Sequence, residues 1–118
     1  MKGIKLKKLI EELELEVVMA SSDFEELTIT NSQVNRPGIQ LSGFFEHFPN
    51  KRLQIIGKTE SIFLNSMDMD VRRDRLEGIM SRDIPCLIFT QGQEIEDYVV
   101  ELAKKYDKTI IRSTRPTT

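Results

Sequence analysis

The stretch Leu53–Ser61, LQIIGKTES, holds the residues with the clearest chemical potential in the chain. An apolar run (Leu53, Ile55, Ile56) leads into Gly57-Lys58-Thr59, and a helical pattern follows. Strand, Gly-Lys-Thr, helix is the outline of a phosphate-binding loop. Such a loop needs Gly, four residues, then Gly-Lys-Ser/Thr, because the leading glycine turns the chain and the intervening amides wrap the phosphates. Here the residue five places before Gly57 is Arg52, and Leu53-Gln54-Ile55-Ile56 reads as the strand itself. Without the cradle, and with no apolar strand ending in an acidic residue placed for magnesium, the nucleotide-hydrolase reading fails. What survives is a helix start whose amides and Lys58 could attract an anion. The competing reading is purely structural: Gly57 turns, Thr59 caps the helix with its hydroxyl, and Lys58 is solvated.

Arg36-Pro37-Gly38 joins a cation to a rigid turn former and a permissive glycine. If that turn packs beside Gly57–Thr59, Arg36 and Lys58 form one anion-binding corner at the end of a sheet. Arg36, Gly38, Lys58 and Thr59 are therefore the candidate ligand residues, against the alternative of an ordinary turn. His47 follows Phe44-Phe45-Glu46, but no nucleophile or second acid is grouped with it, so a surface or partly buried histidine is expected. Asp68 and Asp70 lack the further oxygen ligands and spaced glycine of a calcium loop, and Asp70 reads as a helix N-cap. A single cysteine, Cys86, excludes an internal disulfide, and a single histidine excludes a Cys/His zinc cluster. Cys86 lies in the apolar run Cys86–Phe89 and reads as a small buried hydrophobe. No complete catalytic constellation and no metal-ligand set is assembled from these residues.

The elements that must position them follow from periodicity. Leu6, Leu9, Ile10 and Leu13 share one face of a first helix, and Leu15, Val17 and Met19 alternate as a short strand with its inner face to the core. Residues 21–37 are polar, with a short strand near Leu27–Thr30. Ile39, Leu41, Phe44, Phe45 and Phe48 form the most aromatic patch, a partner surface or a lid on the core. Arg52–Ile56 is a strand, followed by a helix that turns Ile62, Phe63 and Met67 inward. A second helix over Asp70–Ser81 buries Val71, Leu76, Ile79 and Met80 and exposes Arg72, Arg73 and Arg75. Cys86–Thr90 (strand), Glu94–Tyr106 (helix with Ile95, Tyr98, Val99, Leu102 and Tyr106 inward) and Thr109–Arg112 (strand returning beside the first) make a βαβ unit. The order predicts one α/β domain with a mostly parallel or mixed sheet and helices on both faces.

With 118 residues, 39% hydrophobic and 31% charged, the chain suits one globular domain. A net charge of −2 argues against a nucleic-acid partner, and the lysines at 2, 5, 7 and 8 are answered by glutamates at 11, 12, 14 and 16. Apolar stretches of about six residues are far short of the roughly 20 a membrane span requires, and no signal-peptide apolar region is seen. A cytoplasmic protein without membrane partners is expected.

Asn35–Phe45 (NRPGIQLSGFF), Lys51–Glu60 (KRLQIIGKTE), Ile84–Gly92 (IPCLIFTQG) and Arg112–Thr118 (RSTRPTT), in this order, resemble the N-terminal domain of HPr kinase/phosphorylase over nearly all of residues 1–118. The most specific parts are Arg36-Pro37-Gly38 with Leu41 and Gly43, and Gly57-Lys58-Thr59-Glu60. The resemblance implies a three-layer α/β/α fold, similar to the N-terminal domains of Mur ligases and to small DRTGG-type sensor modules. It implies a bacterial enzyme that uses ATP or pyrophosphate with Mg²⁺ to phosphorylate a serine of the phosphocarrier HPr and removes that phosphate by phosphorolysis, in carbon catabolite repression. The P-loop and the HPr-binding signature would lie in a C-terminal catalytic domain that also builds a homo-hexamer. The present chain would then be the non-catalytic, regulatory N-terminal domain. The alternative is a free-standing DRTGG-like module that senses an anion or nucleotide.

Overall fold

The computed structural model describes residues 3–30 and 34–114. In chain order the elements are β1 (Ile4–Lys5), α1 (Leu6–Leu13), β2 (Glu16–Met19), a 3-10 turn (Phe24–Glu26), β3 (Thr28–Ile29), β4 (Val34–Asn35) and α2 (Gly38–Leu41). They continue with β5 (Leu53–Ile56), α3 (Lys58–Asn65), α4 (Met69–Met80), β6 (Leu87–Phe89), α5 (Asp97–Tyr106) and β7 (Ile110–Arg112). The main sheet runs β2-β7-β6-β5-β4, with β4 to β7 mutually parallel and β2 antiparallel to β7. The strand at 110–112 returns parallel beside the strand at 87–89, as the βαβ reading predicts, and on its other side it also pairs antiparallel with the strand at 16–19. A short antiparallel pair, β1 with β3, stands apart from it; the sequence suggested only the second of these strands.

Alternation along each strand sorts side chains between two cores. Ile56, Leu87, Phe89 and Ile110 face one layer, where they meet Leu41, Leu64, Leu76, Ile79, Met80, Tyr98, Val99 and Leu102 from α2 through α5. Ile55, Ile88 and Ile111 face the other, against Leu6 and Ile10 of α1, Ile29 and Cys86. Helices therefore cover both faces, in three layers. Placing α2–α5 together is what right-handed crossovers do when each strand adds on the same side of the last. Burial pushes the Cys86 thiol up to about 12, so it remains a protonated hydrophobe in the native fold.

Several expectations are corrected by tertiary packing. α3 turns Glu60 and Leu64 inward, while Ile62 and Phe63 are 62% and 41% exposed; only Met67 packs against the core as expected. α4 begins at Met69 with Asp68 at the N-cap position, which places Asp70 inside the first turn. α5 begins at Asp97, not Glu94, because Gln91 and Gly92 take left-handed backbone and residues 93–96 are spent on a loop. In β2 a bulge between Val17 and Met19 breaks strict alternation, leaving Val17 exposed while Val18 and Met19 pack inward. Arg72 and Arg75 are half-buried rather than solvated. Arg72 donates to the carbonyls of Met67 and Asn65 and so closes the end of α3. The aromatic patch divides: Phe45 stacks edge-on against Phe48 at 6.0 Å and lies under the Arg82 guanidinium at 4.4 Å, whereas Phe44 is exposed. Gly78 is needed for this packing, since a Cβ there would lie 2.5 Å from Cζ of Phe45.

Carboxylates stitch the surface together. Glu77 accepts from Lys105 Nζ and Tyr106 hydroxyl, each at 2.7 Å, joining α4 to α5. Asp83 pairs with Lys51, and Asp107 accepts from the Ser22 amide and hydroxyl. These donors hold the carboxyls of Glu77, Asp83 and Asp107 below their usual range. A carboxyl lowered in the native state binds fewer protons there than in the unfolded chain. Its stabilisation is present above the unfolded value, about 4, and fades as pH falls through the lower native one. The urea midpoint is therefore expected to drop between neutral pH and about pH 3, and Glu77→Gln should flatten part of that slope. A midpoint that does not fall on acidification would contradict these pairings.

Candidate functional site

The candidate residues converge at the carboxyl edge of the parallel strands. β4 ends into Arg36-Pro37, and β5 ends at Ile56 directly before Gly57. Residues 53–56 are strand, in register with β4 through Leu53 and Gln54 and with β6 through Gln54, Ile55 and Ile56. Their backbone is committed to the ladder. The N-cap of α3 is Gly57, and Lys58 is its first helical residue, so Thr59 is not the cap. Lys58 and Thr59 are exposed. The capping function falls to Glu60, whose Oε1 accepts the Gly57 amide at 2.7 Å. The reason is geometric: a side chain one turn into the helix reaches back to the first amide, where the helix dipole favours its charge.

Arg36 does pack against this corner. Its Nε and Nη2 donate to the same Glu60 Oε1 at 3.2 and 3.0 Å. The Glu60 side chain is 8% exposed and that of Arg36 45%. One nearly buried carboxylate therefore receives both the backbone donor and the cation that sequence reasoning assigned to an anion. Glu60 was visible as an acidic residue at a helix start, but nothing in the sequence marks it as the partner of a residue 24 positions away. Gly38 spends its amide on the Arg36 carbonyl at 2.8 Å. A Cβ at Gly38 would meet nothing within 4 Å, and its φ is not positive. Gly38→Ala is thus expected to be neutral or to stabilise by about 0.4–1 kcal/mol through the unfolded chain. Urea denaturation checks this, and a loss above about 1 kcal/mol would show a role for the missing side chain.

Next to this corner the edge is closed by Gln93, which the sequence did not single out. Its Nε2 donates to the carbonyls of Ile56 and Thr90, each at 2.8 Å, and its Oε1 accepts the Ser61 hydroxyl. Arg112 Nη1 in turn donates to the Gln93 carbonyl at 3.2 Å. Open α/β sheets bind ligands where neighbouring connections depart to opposite faces and leave a crevice. Here the connections from β4 to β7 all lie on one face, so no such divide opens between these strands. His47, at the tip of the α2–β5 connection, is exposed and 3.6 Å from Glu46. At the opposite edge a hollow of about 460 Å³ is lined by Ser21, Asp23, Lys51, Asp83, Asp107 and Lys108. Lys51 pairs with Asp83, Ser21 bonds Asp23 and Thr109, and Asp107 holds Ser22. Among the described residues no group of three or more His, Cys, Asp or Glu is placed to hold a metal.

Fold and corner together define an α/β module whose glycine–lysine turn is capped by its own glutamate, which also pairs with Arg36. The chain belongs to the family described as HPr Serine kinase N terminus, whose model matches residues 4–118. It is 42% identical over its full length to an HPr kinase/phosphorylase of Alkaliphilus metalliredigens, covering 38% of that protein. It is 43% identical to one of Clostridium perfringens over 98% of the chain and 37% of the relative. The chain thus spans little more than a third of these relatives. Its fold is similar to a chain of the CBS and DRTGG domains of the regulatory region of Clostridium perfringens pyrophosphatase, solved with the activator diadenosine tetraphosphate. That likeness has a TM-score of 0.64 at 18% identity and covers 96% of this chain and 42% of the other. Among the described residues no helix is long and apolar enough to cross a membrane.

Proposed function

We propose that this chain acts as the regulatory N-terminal domain of a bifunctional HPr(Ser) kinase/phosphorylase and performs no phosphoryl transfer itself. The observation that carries the reading is the family membership joined to the state of the Gly57-Lys58-Thr59 corner. The relatives are HPr kinase/phosphorylases, and the one nucleotide-like motif here is built from strand backbone and an internal Arg36–Glu60 pair. Phosphorylation of a serine of HPr with ATP or pyrophosphate and Mg²⁺, and its reversal, then belong to a C-terminal catalytic domain. That domain also carries the hexamer contacts, and the whole acts in the cytoplasm. The 118-residue chain incubated with HPr, Mg²⁺ and labelled ATP is expected to transfer no phosphate; measurable phospho-HPr sinks the reading. A protein carrying this domain should differ in kinase-to-phosphorylase balance from the same protein without it.

A second reading, a free-standing anion or nucleotide sensor, is favoured by the meeting of Arg36, Gly38, Lys58 and Thr59 at one edge. Against it, Glu60 already answers Arg36. Calorimetry with ATP, pyrophosphate and a sugar phosphate on the wild type and Lys58→Ala separates the two. Heat lost in the variant supports the sensor; none from any ligand removes it.

A further inference from the structure

Four large apolar side chains on the α2–α3 side of the helical layer are left facing solvent. Ile39 of α2 is 63% exposed, Phe44 just after it 52%, and Ile62 and Phe63 of α3 62% and 41%. They lie on neighbouring elements. The Phe44 amide donates to the Ile39 carbonyl at 3.3 Å, which folds Phe44 back beside α2. α2 and α3 pack against one another. On α3, Glu60 and Leu64 point to the core and Ser61 reaches Gln93 on the β6 side. With about 100° per residue, Phe63 falls on the opposite flank, toward β4 and α2, and Ile62 on the outer crest. Their neighbours in the same aromatic stretch, Leu41, Phe45 and Phe48, are absorbed by the core, so the exposed set is not a shortage of places to bury apolar groups.

At roughly 200 Å² for a large apolar side chain, these exposures leave on the order of 450 Å² uncovered, within the range of patches that mark interaction surfaces. A stable stand-alone dimer needs about 800 Å² per partner. A domain interface within one polypeptide needs only about 300–750 Å² per side, because covalent linkage supplies a millimolar effective concentration. The relatives provide such a tethered partner, since this chain matches only 38% and 37% of their lengths.

We propose that the apolar face of Ile39, Phe44, Ile62 and Phe63 is the seat of the catalytic portion of the longer polypeptide, docked through an apolar face of its own. This rests on the regulatory-domain reading above and assigns the surface through which it acts.

The test uses thiol labelling, which buried Cys86 leaves clean. Phe44→Cys is introduced into the 118-residue chain and into a chimera in which this chain replaces the matched N-terminal segment of the Alkaliphilus metalliredigens relative. Maleimide labelling of the peptide containing residue 44 is followed by mass spectrometry, with Val17→Cys, on the exposed side of β2, as the control. Labelling at position 44 is expected to slow at least tenfold in the chimera, with position 17 unchanged. Equal rates at position 44 in both proteins overturn the proposal. So does slowing in the isolated chain that grows with concentration alongside a doubled mass by light scattering, which would make the occupant a second copy. Should the cysteine chimera fail to fold, the pair Ile62→Ser and Phe63→Ser is measured instead. It is expected to lower the thermal midpoint of the chimera by clearly more than that of the isolated chain, and equal shifts in the two overturn the proposal. A chimera that labels freely at position 44, yet whose HPr phosphorylation still depends on this domain, sinks the surface and spares the function. Loss of that dependence sinks the function itself.

Discussion

Replacing Glu60 by alanine is expected to lower the unfolding free energy by about 2–3 kcal/mol, read from urea denaturation at neutral pH. The carboxylate is nearly buried and one of its oxygens takes three donors, the Gly57 amide and two guanidinium nitrogens of Arg36. Truncation removes the helix cap and leaves a half-buried guanidinium without its counter-charge, and orphaned partners cost more than the net worth of the bond. Arg36 is nearly half exposed, so water recovers part of the loss, which keeps the figure below that of a fully buried pair. In the Glu60→Ala background, Arg36→Met should recover about 1 kcal/mol, because the unpaired charge goes with it. A loss under about 0.5 kcal/mol for Glu60→Ala would mean that the corner is not held by this carboxylate.

Gln54→Leu should cost a similar amount, about 3 kcal/mol, although it exchanges an amide for a hydrocarbon in the middle of a strand. Gln54 is fully buried. Its Nε2 donates to the carbonyls of Pro49 and Arg52 at 3.0 and 2.9 Å, and its Oε1 accepts from Asn35 Nδ2 at 2.8 Å. Leucine would take the side-chain donor from the Arg52 carbonyl, leave the Pro49 carbonyl only the Arg52 amide at 3.3 Å, and leave the Asn35 amide only the long contact to Gln40 Oε1 at 3.5 Å. Buried polar groups thus lose hydrogen bonds that a hydrocarbon cannot replace. The change should also loosen β4, because Asn35 is the last residue of that two-residue strand and Arg36 follows it. Faster amide exchange at residues 34–36 in Gln54→Leu than in the wild type is therefore expected. Unchanged exchange there would separate Gln54 from the placement of Arg36.

The chain's periodicity carried the parts of the fold that depend on burial pattern. The central strands at 53–56, 87–89 and 110–112 and the helices at 6–13, 69–80 and 97–106 lie within a few residues of where their apolar spacing puts them. Periodicity works there because one face or both faces of each element are buried, and burial is written into the side chains themselves. The strand character of Leu53–Ile56 was legible for the same reason: apolar residues ahead of Gly57 belong to the sheet, and a strand cannot also wrap a phosphate.

What tertiary structure decided are the features that rest on partners far apart in sequence. β4 and α2 are two and four residues long, too short to leave a period. β1 exists only because β3 pairs with it. The rotation of α3 is not readable from its own pattern, because its outward Ile62 and Phe63 look like core, while its inward Glu60 looks like surface until Arg36 and the Gly57 amide are brought to it. Gln93 closes the carboxyl edge through two carbonyls and a serine contributed by other elements, a role no local pattern announces. Residue types determined which groups could do chemistry at this edge. Only the packing of β4 beside β5 decided that the cation there would be spent on the protein's own carboxylate, because a charge at a half-buried helix start takes the nearest fixed counter-charge.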